Sequence, residues 1–264
     1  MSWLRYVAVS ADPLAPPPPA WIKALNFCAA ILAVSLVFYF SFAHLAYHLQ
    51  WDAIYEYRAM FIRGWLVTVA IAVISLTLSV LIGLAFALAQ ASRFLPLRYF
   101  SKIYVEIIRG TPLLVQILVF FYVVADAAGL ENRYVAGVLI LSCFSGAYIT
   151  EIFRAGIESV GRSQLESARA VGLTPAQTYR YVIFPQAIRQ TLPPLAGQFV
   201  SLVKDSSLLS VISISEFTWN AQAVNARTFR TLESYLPLAL GYLLLTLPIS
   251  LWTRRLERLT RFHT

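Results

Sequence analysis

The stretch GWLVTVAIAVISLTLSVLIGLAFALAQA, residues 64–91, contains no charged side chain and lies between Arg63 and Arg93. A helix needs about 20 consecutive apolar residues to cross the roughly 30 Å hydrocarbon core of a bilayer, and this run is longer than that. It lacks the alternation of apolar and polar residues, and the length of about 10 residues, that are typical of a strand in a membrane β-barrel. The stretch therefore predicts a membrane-spanning α-helix.

The rest of the chain has the same character. Of its 264 residues, 59% are hydrophobic and 13% are charged, and the mean hydropathy of +0.67 lies outside the usual range of soluble domains. Further apolar runs occupy residues 24–43, 101–125, 133–151, 192–215 and 234–253. The fold class predicted from these runs is an all-α membrane protein with about six transmembrane helices.

The distribution of Lys and Arg predicts the orientation of the spans, because cytoplasmic loops are enriched in basic residues. If the polar residues 165–187 lie in the cytoplasm, most basic residues fall on the same side. These are Arg5, Lys23, Arg93, Arg98, Lys102, the arginines between 154 and 189, and Arg254, Arg255, Arg258 and Arg261. Both termini are then cytoplasmic. The net charge of +8 is explained without a nucleic acid, and the basic C-terminal tail would lie beside anionic lipid.

The first apolar run could be mistaken for a cleaved signal, since Ser41 and Ala43 form a small-x-small pair at its end. Its spanning length and the prolines at 16–19 before it favour a retained helix. Cys28 and Cys143 fall inside predicted spans, so neither a disulfide nor a metal site is expected.

The most polar long stretch of the chain, LESARAVGLTPAQTYRYVIFPQA at 165–187, resembles two short helices joined by a turn. We call residues 163–185 the elbow. Ser163 can cap its first helix with Glu166 as the partner in a capping box, and Gly172 supplies the left-handed residue that ends this helix.

The second helix of the elbow has its own predicted signals. Thr174 and Gln177 form a second capping box, with Pro175 in the first turn. We expect this helix to end before Pro185. Each of these residues has a sufficient structural reason to be present, but a rigid elbow is an unusual connection between two spans.

One face of the first elbow helix carries Leu165, Ala168 and Val171 at helical spacing. This face is small and partly alanine, which favours a docking surface for a soluble partner over a helix lying in the lipid interface. Leu173 either packs back on this helix or projects from the turn.

The elbow also resembles a known motif. ESA at 166–168, the glycine at 172 and VIFP at 182–185 are similar to the EAA loop (E-A-A-x3-G-x9-I-x-L-P) of bacterial ABC importer permeases. Ser167 replaces the central alanine and Phe184 the leucine. RGTPLL at 109–114 with Gln116, GAY at 146–148 with Glu151 and RAGI at 154–157, and KDSSL at 204–208 resemble the polar amino acid branch of that family. These matches occur in the same order as in the family and cover residues 60–260. Together they are a strong signal, whereas any one of them alone would be weak.

The resemblance implies a type I importer with a five-helix core, a cytoplasmic coupling helix and one extra N-terminal helix. Residues 1–58 would be the N-terminus and the extra helix, and residues 59–262 the permease core, with the coupling loop at 158–190. Residues implied in coupling to the ATPase are Glu166, Ser167, Ala168, Gly172, Leu173, Thr174 and Pro185.

The implied partners are two ABC ATPase subunits, a second permease subunit that is a copy or a relative of this chain, and a periplasmic or lipid-anchored binding protein. The implied substrate is a polar amino acid, and the implied location is the bacterial inner membrane. The chain contains no G-x4-G-K-[ST] phosphate loop and no paired catalytic groups. It is therefore not expected to be an enzyme or to hold a cofactor, and ATP would be bound by the partner.

Charged residues within the spans are candidates for the pathway or its gate. Glu106 and Arg109 are three apart, which allows either a mutual pair or a helix end that reaches the interface. Thr111 and Pro112 follow a glycine, and a local bend is expected there.

Lys204 and Asp205 interrupt the 192–215 run and point in different directions on a helix, so they need separate partners and should face the interior of the subunit. They could contact substrate or join helices. An ATP-independent secondary carrier or channel subunit is the alternative function. Such a carrier would be expected to contain inverted repeats, and the sequence shows no convincing internal repeat. A scaffold or receptor subunit is disfavoured by the charges within the spans.

Overall fold

The computed structural model describes residues 19–43 and 47–260, and every regular element in these ranges is helical. Met1–Leu49 and Gln50–Thr264 form separate compact units. The first unit contains helix α1 (Ala20–Ala43), whose described side chains are nearly all exposed. A helix that is apolar on all sides and exposed is typical of a span surrounded by lipid.

The second unit contains the remaining described helices: α2 (Asp52–Glu56), α3 (Arg58–Ala91), α4 (Leu95–Gly110), α5 (Leu113–Val119), α6 (Arg133–Glu158), α7 (Arg162–Ala170), α8 (Pro175–Thr178), α9 (Phe184–Asp205), α10 (Phe217–Thr228) and α11 (Thr231–Thr260). Wider π-helical turns follow α5 at Phe120–Ala125 and α8 at Tyr179–Ile183, and a 3-10 turn, Ser206–Ile212, follows α9.

Five described helical runs are long and apolar enough to cross a membrane: the first 22 residues of α1, then α3, α6, the continuous run Pro175–Ile212, and α11. A sixth span is obtained when α4 is counted together with Leu113–Ala125. The prediction of an all-α membrane protein with about six transmembrane helices is confirmed. The chain is a multi-pass membrane protein.

The predicted span at 101–125 is two helices whose axes are bent by 110°. The expected bend is present, but it is sharper than a local kink. Pro112 has no N–H to donate to the carbonyl of Ile108, four residues earlier. The side chain of Gln116 provides that donor instead, with Nε2 at 2.7 Å from Ile108 O and 2.8 Å from Thr111 Oγ1. One buried amide therefore satisfies the backbone that the proline leaves open.

Helices α3 and α6 pack closely at the centre of the second unit through small residues. A Cβ atom placed on Gly146 would lie 2.7 Å from Cγ2 of Ile82, and one placed on Gly83 would lie 2.8 Å from Cβ of Ile149. The hydroxyl of Ser79 donates across the same contact to Ser142 O at 3.2 Å. Small residues and interhelical hydrogen bonds are how helices associate within a membrane.

A fully buried carboxylate, Glu216, fixes the position of the short helix α10. It caps this helix by accepting from the backbone N–H groups of Thr218 at 2.8 Å and Trp219 at 2.7 Å. The Tyr242 hydroxyl of α11 donates to the same carboxylate at 3.1 Å, and Thr68 of α3 is 3.5 Å away. α10 is therefore held to both neighbouring helices, a role that the sequence analysis did not assign to this residue.

Candidate functional site

The first helix of the elbow differs from the prediction at its start. α7 begins at Arg162 and is preceded by Gly161, with no side-chain cap. The prediction that Ser163 caps this helix is therefore wrong. Because Ser163 already lies in the first helical turn, its hydroxyl cannot occupy the position from which an N-cap side chain accepts.

The turn of the elbow agrees with the sequence. Gly172 has a φ of +81°, and the N–H of Leu173 donates to Ala168 O at 3.0 Å to close the end of α7. The Thr174 capping box is formed, since Gln177 N lies 3.3 Å from Thr174 Oγ1 and the Gln177 side chain accepts from Thr174 N at 2.9 Å. Both predicted turn signals are confirmed.

The second elbow helix does not end before Pro185, and that prediction is wrong. α8 continues through the π-helical turn Tyr179–Ile183 directly into α9, where Pro185 occupies the first turn. The wider turn pairs Phe184 N with Tyr179 O, five residues back, and thus accommodates a proline without a break. The elbow and the following span are one continuous helical run, Pro175–Ile212.

The coupling residues named from the sequence differ in their exposure. Glu166, Ser167, Gly172, Thr174 and Pro185 are exposed, Leu173 is half-buried and Ala168 is buried. Ala168 itself is buried, at 4% exposure, so it is not the residue through which this face would dock, while the docking role of the face stays a prediction. The exposed apolar residue of that face is Val171, at 75% exposure.

A chain of charged groups joins α4 to the end of α6 that leads into the elbow. Arg109 lies 3.3 Å from Glu151, and Arg154 holds the same carboxylate with two hydrogen bonds of 3.0 and 2.7 Å. Arg154 also contacts Glu158 at 2.5 Å. The Glu106–Arg109 pair considered from the sequence is not formed among the described residues, because α6 presents Glu151 to the arginine.

Two clefts that are lined partly by charged and polar side chains meet at this chain of charges. The α3–α4 cleft, of about 510 Å³, is lined by residues that include Gln90, Arg98, Lys102 and Glu106. The α6–α9 cleft, of about 770 Å³, is lined by residues that include Arg109, Tyr148, Gln190, Gln198 and Ser201. Glu151 and Arg154 line both, so they form the wall between the clefts.

The α9 side of the larger cleft is a stripe of small and polar residues at helical spacing: Gln190, Pro194, Gly197, Gln198 and Ser201. Lys204 is three positions after Ser201 and therefore extends the stripe. Lys204 is exposed and Asp205 is half-buried, and neither forms an ion pair with another residue in the described ranges. The expectation that Lys204 faces the interior of the subunit is wrong, because it follows the open face of α9.

The structure thus brings together only some of the predicted pathway residues. Arg109 reaches the larger cleft and Glu106 the smaller one, while Thr111 and Pro112 form the bend beside them. The sequence pointed to Glu151 only within a motif and as the end of a span. The spacing of Gln190, Pro194, Gly197 and Ser201 was the signal that could have revealed the α9 stripe.

Comparison with known proteins identifies the family. The family model described as "Binding-protein-dependent transport system inner membrane component" matches residues 79–262. The chain belongs to this family. Its match begins within α3 and includes the charged chain, the elbow, the α9 stripe and all of α11.

Curated relatives align with this chain over nearly their whole length. The glutamine transport system permease protein GlnP of Escherichia coli (strain K12) is 37% identical over 212 residues, covering 79% of this chain and 96% of that protein. The probable glutamine ABC transporter permease protein GlnM of Bacillus subtilis (strain 168) is 36% identical over 205 residues, covering 78% and 95%. These relatives are transport permease subunits and not enzymes.

Solved structures share the fold. A crystal structure of an amino acid ABC transporter with histidines has a TM-score of 0.75 and 37% identity, covering 80% of this chain and 99% of that one. An inward-facing structure of the MetNI methionine ABC transporter has a TM-score of 0.65 at 17% identity, which shows a common fold only. The fold is therefore that of a type I ABC importer permease.

Proposed function

We propose that this chain is the membrane subunit of an ATP-driven importer of a polar amino acid and that its elbow couples it to partner ATPases. The substrate class is supported by the names of the relatives, which transport glutamine or, for TcyB of Bacillus subtilis at 35% identity, L-cystine. The observation that carries the coupling role is the continuous helical run Pro175–Ile212, which joins the elbow to the cleft-lining stripe of α9.

Coupling would use the exposed residues of the elbow as the contact surface. Glu166, Ser167 and Thr174 are exposed around the turn, and Gly172 lets the chain reverse there. Ala168 and Leu173 would support the turn from inside, and Pro185 would lie in the first turn of α9. The partner would bind ATP, and this chain would contribute no cofactor, metal or catalytic group.

Movement of the elbow would reach the membrane because no loop interrupts the connection. The run Pro175–Ile212 has 38 residues, which corresponds to roughly 57 Å of helix. Docking changes the conformation only if the contacts of the elbow with the ATPase differ in free energy between the two membrane states. We therefore expect those contacts to be remade during the ATP cycle.

The α6–α9 cleft is the proposed pathway for substrate. It presents a cation at Arg109, an anion at Glu151 and uncharged hydrogen-bonding groups at Tyr148 and Gln198, a combination that suits the opposite charges of an amino acid. Lys204 would continue the same lining.

The other proposed pathway and gate residues surround this cleft. Asp205 would act beside Lys204, and Glu106 would act from the neighbouring α3–α4 cleft. Thr111 and Pro112 would form the bend about which α4 and α5 move.

Assembly would require a second permease subunit, two ATPase subunits and a periplasmic or lipid-anchored binding protein in the bacterial inner membrane. The elbow and both termini would be cytoplasmic, as the distribution of basic residues favours. Residues 1–58 would add a helix to a core at 59–262. The coupling loop would extend over 158–190.

Reconstitution tests this proposal against an ATP-independent carrier. The complex purified with its native neighbours is placed in liposomes, and uptake of radiolabelled glutamine, histidine and cystine is measured with and without ATP and binding protein. Uptake that requires both supports the proposal. Transport by the chain alone, without ATPase or binding protein, would establish the carrier instead.

A further inference from the structure

An exposed aromatic residue lies at the turn between α10 and α11. Phe229 is 84% exposed, the highest exposure of any large hydrophobic residue that the structure describes. Its φ of +55° places it in the left-handed region, which bulky residues rarely adopt and which glycine usually occupies after a helix. Strain of this kind is retained mainly where function requires it. Because the ring of Phe229 is exposed, its burial contributes no stabilisation that would offset the strain.

Hydrogen bonds on both sides hold this turn in place. Phe229 N donates to Asn225 O at 2.7 Å, and Thr231 Oγ1 donates to Asn225 Oδ1 at 3.2 Å. Thr228 Oγ1 donates to Val224 O at 2.8 Å and accepts from the backbone N–H of Arg230. The backbone of the turn is therefore held in one conformation, which lowers the entropy lost on binding.

Two arginines lie close to Phe229 in the sequence, and other residues hold their side chains in place. Arg227 donates to Met60 Sδ at 3.6 Å, and its guanidinium lies 5.9 Å from the centre of the Tyr57 ring. Arg230 donates to the side-chain oxygen of Gln50. Aromatic residues and arginine are the types enriched at the energetic centres of protein interfaces. We call residues 227–230 the aromatic turn.

The aromatic turn lies at the opposite end of the bundle from the elbow. α10 packs against the first turns of α3, where the Phe61 and Phe217 rings are 6.2 Å apart, whereas the clefts beside the elbow are lined by the last turns of α3. Tyr57, which Arg227 contacts, precedes the start of the uncharged run at Gly64 by seven residues, or roughly 10 Å of helix.

That height argues against lipid as the partner. The interfacial layer of a bilayer is only about 5–7 Å thick on each side. With Gly64 placed at the edge of the hydrocarbon core, the level of Tyr57 falls at the outer limit of the headgroups, where a soluble protein can reach it.

We propose that the aromatic turn is a docking surface for the solute-binding protein on which this family of transport systems depends. The inference rests on the proposed function, which places the end opposite the elbow outside the cytoplasm. The matching surface would be an apolar recess for the ring of Phe229, bordered by carboxylates that pair with Arg227 and Arg230. The rate at which the binding protein associates with the aromatic turn should fall as ionic strength rises.

The test uses the reconstituted complex in nanodiscs and its own binding protein as the probe, with the dissociation constant measured by biolayer interferometry. Phe229→Gly removes the ring and favours the left-handed backbone, so the variant should fold at least as well as the wild type. We expect the dissociation constant to rise roughly tenfold or more. Ser213→Gly is the matched control, because Ser213 is the other described non-glycine residue with positive φ, at +58°.

Four results would overturn the inference. An unchanged dissociation constant for Phe229→Gly, beside a wild type that binds normally, would refute the docking surface alone. Quenching of a Phe229→Trp variant by brominated lipid would assign the ring to the membrane, and disulfide formation between two Phe229→Cys chains would assign it to a second copy. A wild-type complex that never responds to the binding protein would refute the proposed function as well.

Discussion

The guanidinium of Arg109 and the carboxylate of Glu151 lie 3.3 Å apart, and this contact joins the end of α4 beside the bend to the end of α6 that leads into the elbow. Glu151 is also the residue that Arg154 holds with two hydrogen bonds. One carboxylate therefore links the bend, the wall between the two clefts and the approach to the elbow.

Replacing Glu151 by Gln should impair transport more than stability. The side chains of Arg109 and Glu151 are 41% and 22% exposed, and a pair of this exposure contributes only about 1 kcal/mol or less. We expect ATP-dependent uptake in proteoliposomes to fall several-fold, with little change in the melting temperature. Glu158→Gln is the control, since Glu158 is 61% exposed and pairs only with Arg154 among the described residues. Equal uptake by both variants would contradict a role of Glu151 in the pathway.

Replacing Gln116 by Leu should destabilise the bend. The carbonyl of Ile108 would lose its donor, at a cost of about 1–3 kcal/mol for a buried unsatisfied group. Pro112→Ala supplies a backbone N–H and lets Thr111 return to helical geometry, in which that N–H reaches the carbonyl, so it should reduce the cost of Gln116→Leu in a double-mutant cycle. Thermal unfolding in detergent measures both effects.

Gln186→Leu is the control for the bend, because Gln186 makes a single bond to Val182 O. Additive effects of Gln116→Leu and Pro112→Ala would show that the amide does not replace the missing proline donor.

Because α3 and α6 are in close contact, adding a single methyl group between them should destabilise the protein. Gly146→Ala places a Cβ atom 2.7 Å from Ile82 Cγ2, and overpacking of this kind costs about 1–3 kcal/mol, more than the gain in helix propensity. Gly110→Ala meets no atom within 4 Å and serves as the control. A melting temperature for Gly146→Ala equal to that of the control would disprove the tight contact.

The turn of the elbow should discriminate between residues by their backbone preference. Gly172 has a φ of +81°, and a Cβ atom added there would meet no atom within 4 Å, so space is not the constraint. Asn tolerates this conformation and Val does not. Gly172→Val should therefore lose more uptake than Gly172→Asn, while membrane insertion measured by fractionation is the same. The reverse order would argue against a coupling role that depends on the shape of the turn.

The features that the sequence predicted are local ones. The uncharged run at 64–91 specifies a span by its length, Gly172 and the Thr174–Gln177 box specify the turn, and the proline at 112 specifies a bend. Each depends on residues within a few positions of one another, so periodicity and capping rules are sufficient.

The features that the sequence missed depend on distant partners or on unusual backbone geometry. Arg109 pairs with Glu151 of another helix instead of its neighbour Glu106. The helix passes through Pro185 because a π-helical turn absorbs the missing donor. Phe229 adopts a conformation that residue preferences assign to glycine, and no spacing rule predicts it.

The central claim is that the elbow transmits the movement of an ATPase to α9. It is tested most directly by site-specific crosslinking from a Glu166→Cys variant of the reconstituted complex, with ATP and with a non-hydrolysable analogue. The account predicts a crosslink to the ATPase subunit whose yield changes with the nucleotide, and loss of uptake once it forms. A cysteine at 166 that never reaches an ATPase, or that an impermeant thiol reagent labels from outside intact cells, would contradict it.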